Sequence, residues 1–165
     1  MIEILEMHDK EIRDFLRRMN YGHLACSRDD QPYVVPIYFA YDGVDIFIYT
    51  TEGLKSQMLE QNPKVCLQAE EFLDGGNWQS VVIMGEANRI EDLGSREAAV
   101  ELLRSNNPTL LPALAIKWSK DWIRNNVEAV YKIEIKSIAG RLSSEIRMAS
   151  ASAQPAFRTG SPKII

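Results

Sequence analysis

Apolar residues recur at Ile12, Phe15, Leu16 and Met19, the i, i+3, i+4, i+7 spacing of one helical face, and Asp9 stands where an N-cap belongs. From Tyr21 the period changes. Residues Tyr21 to Arg28 carry the apolar content of a strand, and Arg28-Asp29-Asp30-Gln31-Pro32 is a polar turn. A second strand is predicted from Tyr33 to Tyr41 and its return arm from Val44 to Thr50. Asp42-Gly43 supplies tight-hairpin chemistry between them.

A short helix follows over Leu54 to Gln61 and ends at Asn62-Pro63, because the residue before a proline is pushed out of the helical region. Strands over Lys64 to Phe72 and Trp78 to Glu91 flank an Asp74-Gly75-Gly76-Asn77 turn, and Gly85 marks a bend or bulge in the second. Ser95 to Ser105 reads as a helix capped by Ser95, with Ala99, Leu102 and Leu103 on one face. Another short helix is predicted over Trp118 to Asn125. The last strand, Val127 to Ile138, alternates Tyr131, Ile133 and Ile135 with Lys132, Glu134 and Lys136, the pattern of a sheet with one wet face.

Together these elements predict a mainly β protein with helical decoration (β or α+β), built as an antiparallel, six-stranded, Greek-key-like barrel. A βαβ rhythm is absent, which disfavours a doubly wound sheet. One domain is expected over residues 1–147, and the Ala, Ser, Gln, Pro and Gly-rich residues 148–165 read as a flexible tail.

Composition acts mainly by exclusion. The 165 residues carry a formal net charge of -4, so electrostatics favours neither nucleic acid nor an anionic membrane. No apolar run approaches the ~20 residues that cross a bilayer. The first residues, MIEILEMHDKEIRDFL, place charges where a leader needs an apolar stretch. Cys26 and Cys66 sit in apolar strand-like runs and read as buried, reduced thiols, which gives a cytoplasmic expectation. With His8 and His23 the only histidines, no metal site is expected. His23 on a strand reads as structural rather than as a base, and Glu70-Glu71 as a solvated edge.

Phosphate-loop, dinucleotide and nucleophile-elbow motifs are missing. One segment is more informative: Tyr49-Thr50-Thr51-Glu52-Gly53-Leu54-Lys55-Ser56 joins a strand to a helix N-terminus. Free N–H groups, the helix dipole and the Lys55 charge suit a phosphate. On these residues alone an ordinary capped turn, with Thr51 as cap and Lys55 solvated, fits equally well.

Five blocks in order carry a resemblance: Gln31-Pro32-Tyr33-Val34-Val35-Pro36-Ile37-Tyr38-Phe39, Asp42-Gly43, Ile48-Tyr49-Thr50-Thr51 with Lys55, Asn62-Pro63-Lys64-Val65-Cys66, and Trp78-Gln79-Ser80-Val81-Val82 with Gly85. Over roughly residues 10 to 140 the chain resembles the pyridoxamine 5'-phosphate oxidase-related, FMN-binding split-barrel family, in its nitroimidazole-resistance-like branch. The resemblance implies a homodimer with FMN between the subunits. Val35, Pro36, Ile37 and Tyr38 would then run beside the flavin ring. Tyr49, Thr50 and Thr51 would meet the ribityl chain and phosphate, with Lys55 on the phosphate. Trp78, Gln79, Ser80 and Val81 would reach the flavin from the other subunit, Ser80 as the polar contact.

Leu54 replaces the arginine that often precedes the phosphate lysine in the oxidases, and their C-terminal Trp and Arg have no clear match, Arg141 being unassigned. The resemblance therefore carries the flavin further than it carries pyridoxamine phosphate as substrate. The residues agree with a flavin: the hairpin of residues 33–50 offers a flat apolar slot, and the turn at Thr50 to Lys55 an anion site. Tyr38 and Trp78 are candidate ring neighbours, whereas Trp118 and Trp122, at i, i+4, suit core packing. The function implied is an FMN-dependent oxidoreductase acting on a small molecule, oxidase-like or nitroreductase-like, with no side chain nominated as acid or base. Rival readings are a non-catalytic flavin binder or sensor, and the same barrel carrying haem or a deazaflavin.

Overall fold

The computed structural model describes residues 3–107, 128–143 and 145. The predicted helix over Trp118 to Asn125 and the tail 148–165 lie outside these residues.

Strand β1 is Ile4–Glu6 and helix α1 is Asp9–Arg18. Ile12, Phe15 and Leu16 are its buried face, as the spacing predicts. The N-cap is His8 rather than Asp9, and the Glu11 carboxylate accepts from the His8 backbone N–H at 2.6 Å. Asp9 falls inside the first turn, where its charge complements the helix dipole.

Strands β2 (Tyr21–Arg28) and β3 (Gln31–Tyr41) form a hairpin. Its turn is only Asp29 and Asp30, at φ 50° and 61°. Positive φ at both positions matches the strand twist, and aspartate visits this region more readily than most residues. Pairing therefore begins at Arg28↔Gln31, and β3 starts two residues before the predicted Tyr33. After β3 the Asp42 carboxylate accepts the backbone N–H groups of Val44 and Asp45, each at 2.8 Å. That self-bonded aspartate widens the turn, so β4 is Ile46–Thr51 and not the predicted Val44 to Thr50.

Helix α2 (Leu54–Gln61) and strand β5 (Lys64–Phe72) fall where the sequence places them. Strand β6 is Trp78–Arg89, with a register shift between Met84 and Gly85 that realises the expected bulge. A Cβ on Gly85 would lie 2.5 Å from the Glu134 backbone oxygen, so the close approach of the next strand requires glycine. Helix α3 is Leu93–Asn106, and its cap is Asp92, whose carboxylate accepts from the Ser95 N–H; the predicted cap Ser95 is that donor. Strand β7 is Glu128–Ser143, longer than predicted because its C-terminal residues pair with β6 on one edge and β1 on the other.

The sheet order is β1-β7-β4-β3-β2-β5-β6, and β7 also pairs with β6. Six strands thus close a ring, while β1 is a seventh strand that a six-stranded expectation omits. Three residues are too few to show periodicity. β2, β3 and β4 form a meander, and β5 returns beside β2, which is a Greek key whose long connection is α2.

Inside the ring Leu24, Phe39, Ile46, Ile48 and Ile133 are fully buried. Phe15 and Leu16 of α1 plug one end of the barrel. Met58 and Leu59 of α2 plug the other, with the Asn62 amide bonded to the Ser27 carbonyl at 3.0 Å. Burying each large aliphatic or aromatic side chain contributes about 1.5–3 kcal/mol, so the two plugs are substantial parts of the core. Cys26 is buried, but Cys66 is only half-buried on the outer face, against expectation; both are free thiols. No helix among the described residues is long and apolar enough to cross a membrane.

Candidate functional site

The ring is open along one seam. β3 pairs with β4 only through Phe39↔Ile48, Ala40↔Phe47 and Tyr41↔Ile46. Continuing that register would oppose Tyr38 to Tyr49 and Pro36 to Thr51, but the ladder stops at Phe39. Among the described residues, the stretch Gln31 to Tyr38 has β2 as its only strand neighbour. Pro32 and Pro36 both fall in this stretch, where a missing N–H breaks no second ladder. Among the described residues, the far edge of β3 therefore enters no ladder along this stretch and turns its backbone donors and acceptors to the seam.

Four predicted residues line this stretch. Pro36 and Tyr38 face outward, while Val35 is half-buried and Ile37 is buried on the barrel side. Across the seam, Thr50 is buried, with its hydroxyl 3.3 Å from the Thr51 carbonyl oxygen, and Thr51 is exposed. Tyr49 packs instead under α3, with Ala40, Phe47 and Leu103. Two surface grooves, of about 540 and 530 Å³, flank α3, and of the predicted residues only Tyr49 lines either.

Lys55 sits in the first turn of α2, at the barrel end that holds Cys26. Burial pushes its ammonium below the ordinary value, and only the nearby Cys26 thiol opposes that shift. Among the described residues Lys55 enters no ion pair. The turn before it is braced: the Gly53 N–H donates to the Ser56 hydroxyl, which donates back to the Gly53 carbonyl, each at 2.8 Å. A half-buried cation without a counter-charge, beside unpaired helical N–H groups, is the environment an anion would relieve.

Trp78, Gln79, Ser80 and Val81 lie on β6, separated from β3 by β2 and β5. Gln79 and Val81 face the core, and the Gln79 amide donates to Glu71 at 2.6 Å, a carboxylate that also binds Arg18. Ser80 faces outward, near the Gln68 amide at 3.3 Å, and Trp78 is half-buried. Within one chain this group does not meet the seam.

The outer face of β3, β2, β5 and β6 carries exposed apolar residues in register, a feature the sequence reading missed. In register, Val34, Ala25, Cys66 and Met84 form one row, and Pro36, His23, Gln68 and Val82 the next. Val34 is 62% exposed and Met84 50%. His23 stands edge-on to Tyr21, and Tyr21 edge-on to Tyr38, both at 5.7 Å between ring centres. The available signal was the run Val81-Val82-Ile83-Met84, because an antiparallel strand with one wet face does not carry four apolar residues in succession.

A closed antiparallel ring parted along one seam, with helices across its ends, defines a split β-barrel. The family model described as pyridoxamine 5'-phosphate oxidase matches residues 8–142, and the chain belongs to that family. An FAD-binding protein from Mesorhizobium loti superposes with a TM-score of 0.69 at 28% identity, covering 87% of this chain and 99% of that one. A putative 5-nitroimidazole antibiotic resistance protein from Bacteroides thetaiotaomicron gives 0.64 at 19% identity, covering 87% and 89%. An uncharacterized protein of Rhizobium meliloti (strain 1021) is 39% identical over 79 residues, 48% of this chain and 52% of that one. The match thus spans about half the length of this curated relative.

Proposed function

We propose that this chain binds FMN in the seam between β3 and β4 and serves as a flavin-dependent oxidoreductase for a small molecule. The observation that carries the reading is Lys55, half-buried, depressed by burial and without a carboxylate partner. Lys55 and the N-terminal N–H groups of α2 hold the phosphate, with the Thr51 hydroxyl beside them. The unpaired edge of β3 offers hydrogen-bonding groups to the rim of the ring system, and Pro36 and Tyr38 give it an apolar wall. When bound, the flavin supplies the electron-transfer chemistry, and the protein supplies position and electrostatics.

A second copy of the chain covers the outer face of β2, β5 and β6. Exposed apolar rows of this kind mark interfaces, and a two-fold partner would bring its Ser80 and Trp78 toward the seam. Light scattering should report twice 18.8 kDa. A flavin-loaded monomer would overturn the shared site.

The cofactor is tested by titration with FMN, FAD and riboflavin. Hydrogen bonds to charged groups contribute about 1.5–3 kcal/mol, so Lys55→Ala should weaken FMN by about one to two orders of magnitude. Riboflavin, without a phosphate, should bind weakly and be little changed. Equal losses for both would indicate damage to the fold instead. The Mesorhizobium loti relative is named for FAD, whose pyrophosphate has the same charge chemistry. Tighter binding of FAD than FMN would reassign the cofactor while keeping Lys55 in its role.

A further inference from the structure

Glu52 stands three residues before Lys55 in the chain, just outside the first turn of α2, so a carboxylate–ammonium pair between them is the local alternative. Such a pair would neutralise the lysine and place a negative charge where the phosphate is to bind. The two do not pair. The Glu52 carboxylate lies 2.5 Å from the Arg89 guanidinium, which reaches over from the end of β6. The Ser56 hydroxyl and Arg89 together hold that carboxyl below its usual range. Arg89 also meets Glu91 at 3.3 Å and Glu60 at 4.0 Å. The buried Tyr131 hydroxyl lies beside the same guanidinium, whose charge and hydrogen bonding both act on it. Elements distant in sequence thus converge on the residue just outside the N-terminus of α2.

We propose that Arg89 is a positioning residue for the anion site: it holds Glu52 away from Lys55, so that the lysine stays free for the flavin phosphate. The proposal deepens the flavin reading and rests on it for the identity of the anion. Losing Arg89 leaves the Glu52 charge unneutralised next to Lys55, where it opposes the ligand, a charge effect that a neutral residue at position 52 abolishes.

The test uses the full chain, titrated with FMN and with riboflavin, and follows the Lys55 ammonium by lysine side-chain NMR as pH is raised. Arg89→Met should weaken FMN about fivefold and spare riboflavin, and the difference should shrink in about 0.5 M salt. Lys55 in that variant should titrate at a higher pH than in wild type, because it has gained a carboxylate. Combining Arg89→Met with Glu52→Gln should restore both FMN affinity and the wild-type titration. Arg89→Lys keeps a charge and should lose less; should Arg89→Met fail to fold, Arg89→Lys with and without Glu52→Gln carries the same comparison. Unchanged Lys55 titration, or a double variant that stays weak, overturns the proposal. A wild type that binds no FMN while Lys55 still shifts upward in the Arg89 variants overturns the flavin reading and leaves this one standing.

Discussion

The two halves of β3 belong to one strand and have opposite surroundings. From Phe39 to Tyr41 it is laddered to β4, the Phe39 N–H also donates to the Asn20 carbonyl, and all three side chains are buried. From Gln31 to Tyr38 it has, among the described residues, β2 alone, carries two prolines and shows Val34 and Tyr38 to the surface. The closed half spends its backbone groups on the barrel. The open half leaves one edge outside any ladder of the described residues, which a barrel tolerates only where another group, water or a ligand takes over. Under the proposed flavin reading, stability and binding are thereby separated along a single strand.

That separation can be tested, starting from its largest consequence. Phe39→Ala should cost about 3–5 kcal/mol in urea unfolding, since the ring is fully buried in the core. Flavin affinity measured on the fraction still folded should change far less than stability. A smaller effect concerns the cation across the seam. Lys55 is depressed below 10.5, so folding favours its neutral form, and stability of the free protein should rise slightly as pH climbs through that window. FMN affinity should move the other way, because phosphate requires the ammonium, and Lys55→Ala should remove this alkaline limb. An affinity that is flat up to 10.5 would mean that Lys55 does not meet the phosphate. The smallest effect is expected on the open half itself: Pro36→Ala should alter stability by no more than about 0.5 kcal/mol. A loss comparable to that of Phe39→Ala would show that both halves are structural, and the comparison would collapse.

Much of the fold was legible because its signals are local. The aspartates and glycines of the turns, the helical spacing of Ile12, Phe15 and Leu16, and the alternation around Tyr131 and Ile133 each act within a few residues. Gly85 was readable for the same reason, since a lone glycine within an apolar strand marks a close approach. The caps were misplaced by one to three positions, because His8 and Asp92 take that role through geometry that composition does not reveal.

By itself, then, the sequence determined six of the seven strands to within a few residues, most turns, the antiparallel class and the presence of Lys55 at a helix start. Whether that lysine is solvated or waiting for an anion was left open. The tertiary structure decided its surroundings: the pairing of β3 with β4 stops at Phe39, α2 lays Lys55 at the barrel end beside Cys26, and Arg89 pairs with Glu52. Each depends on groups brought together by ring closure from strands far apart in the chain. The electrostatics of a partly buried charge is set by such neighbours in space, which no periodicity along the chain records.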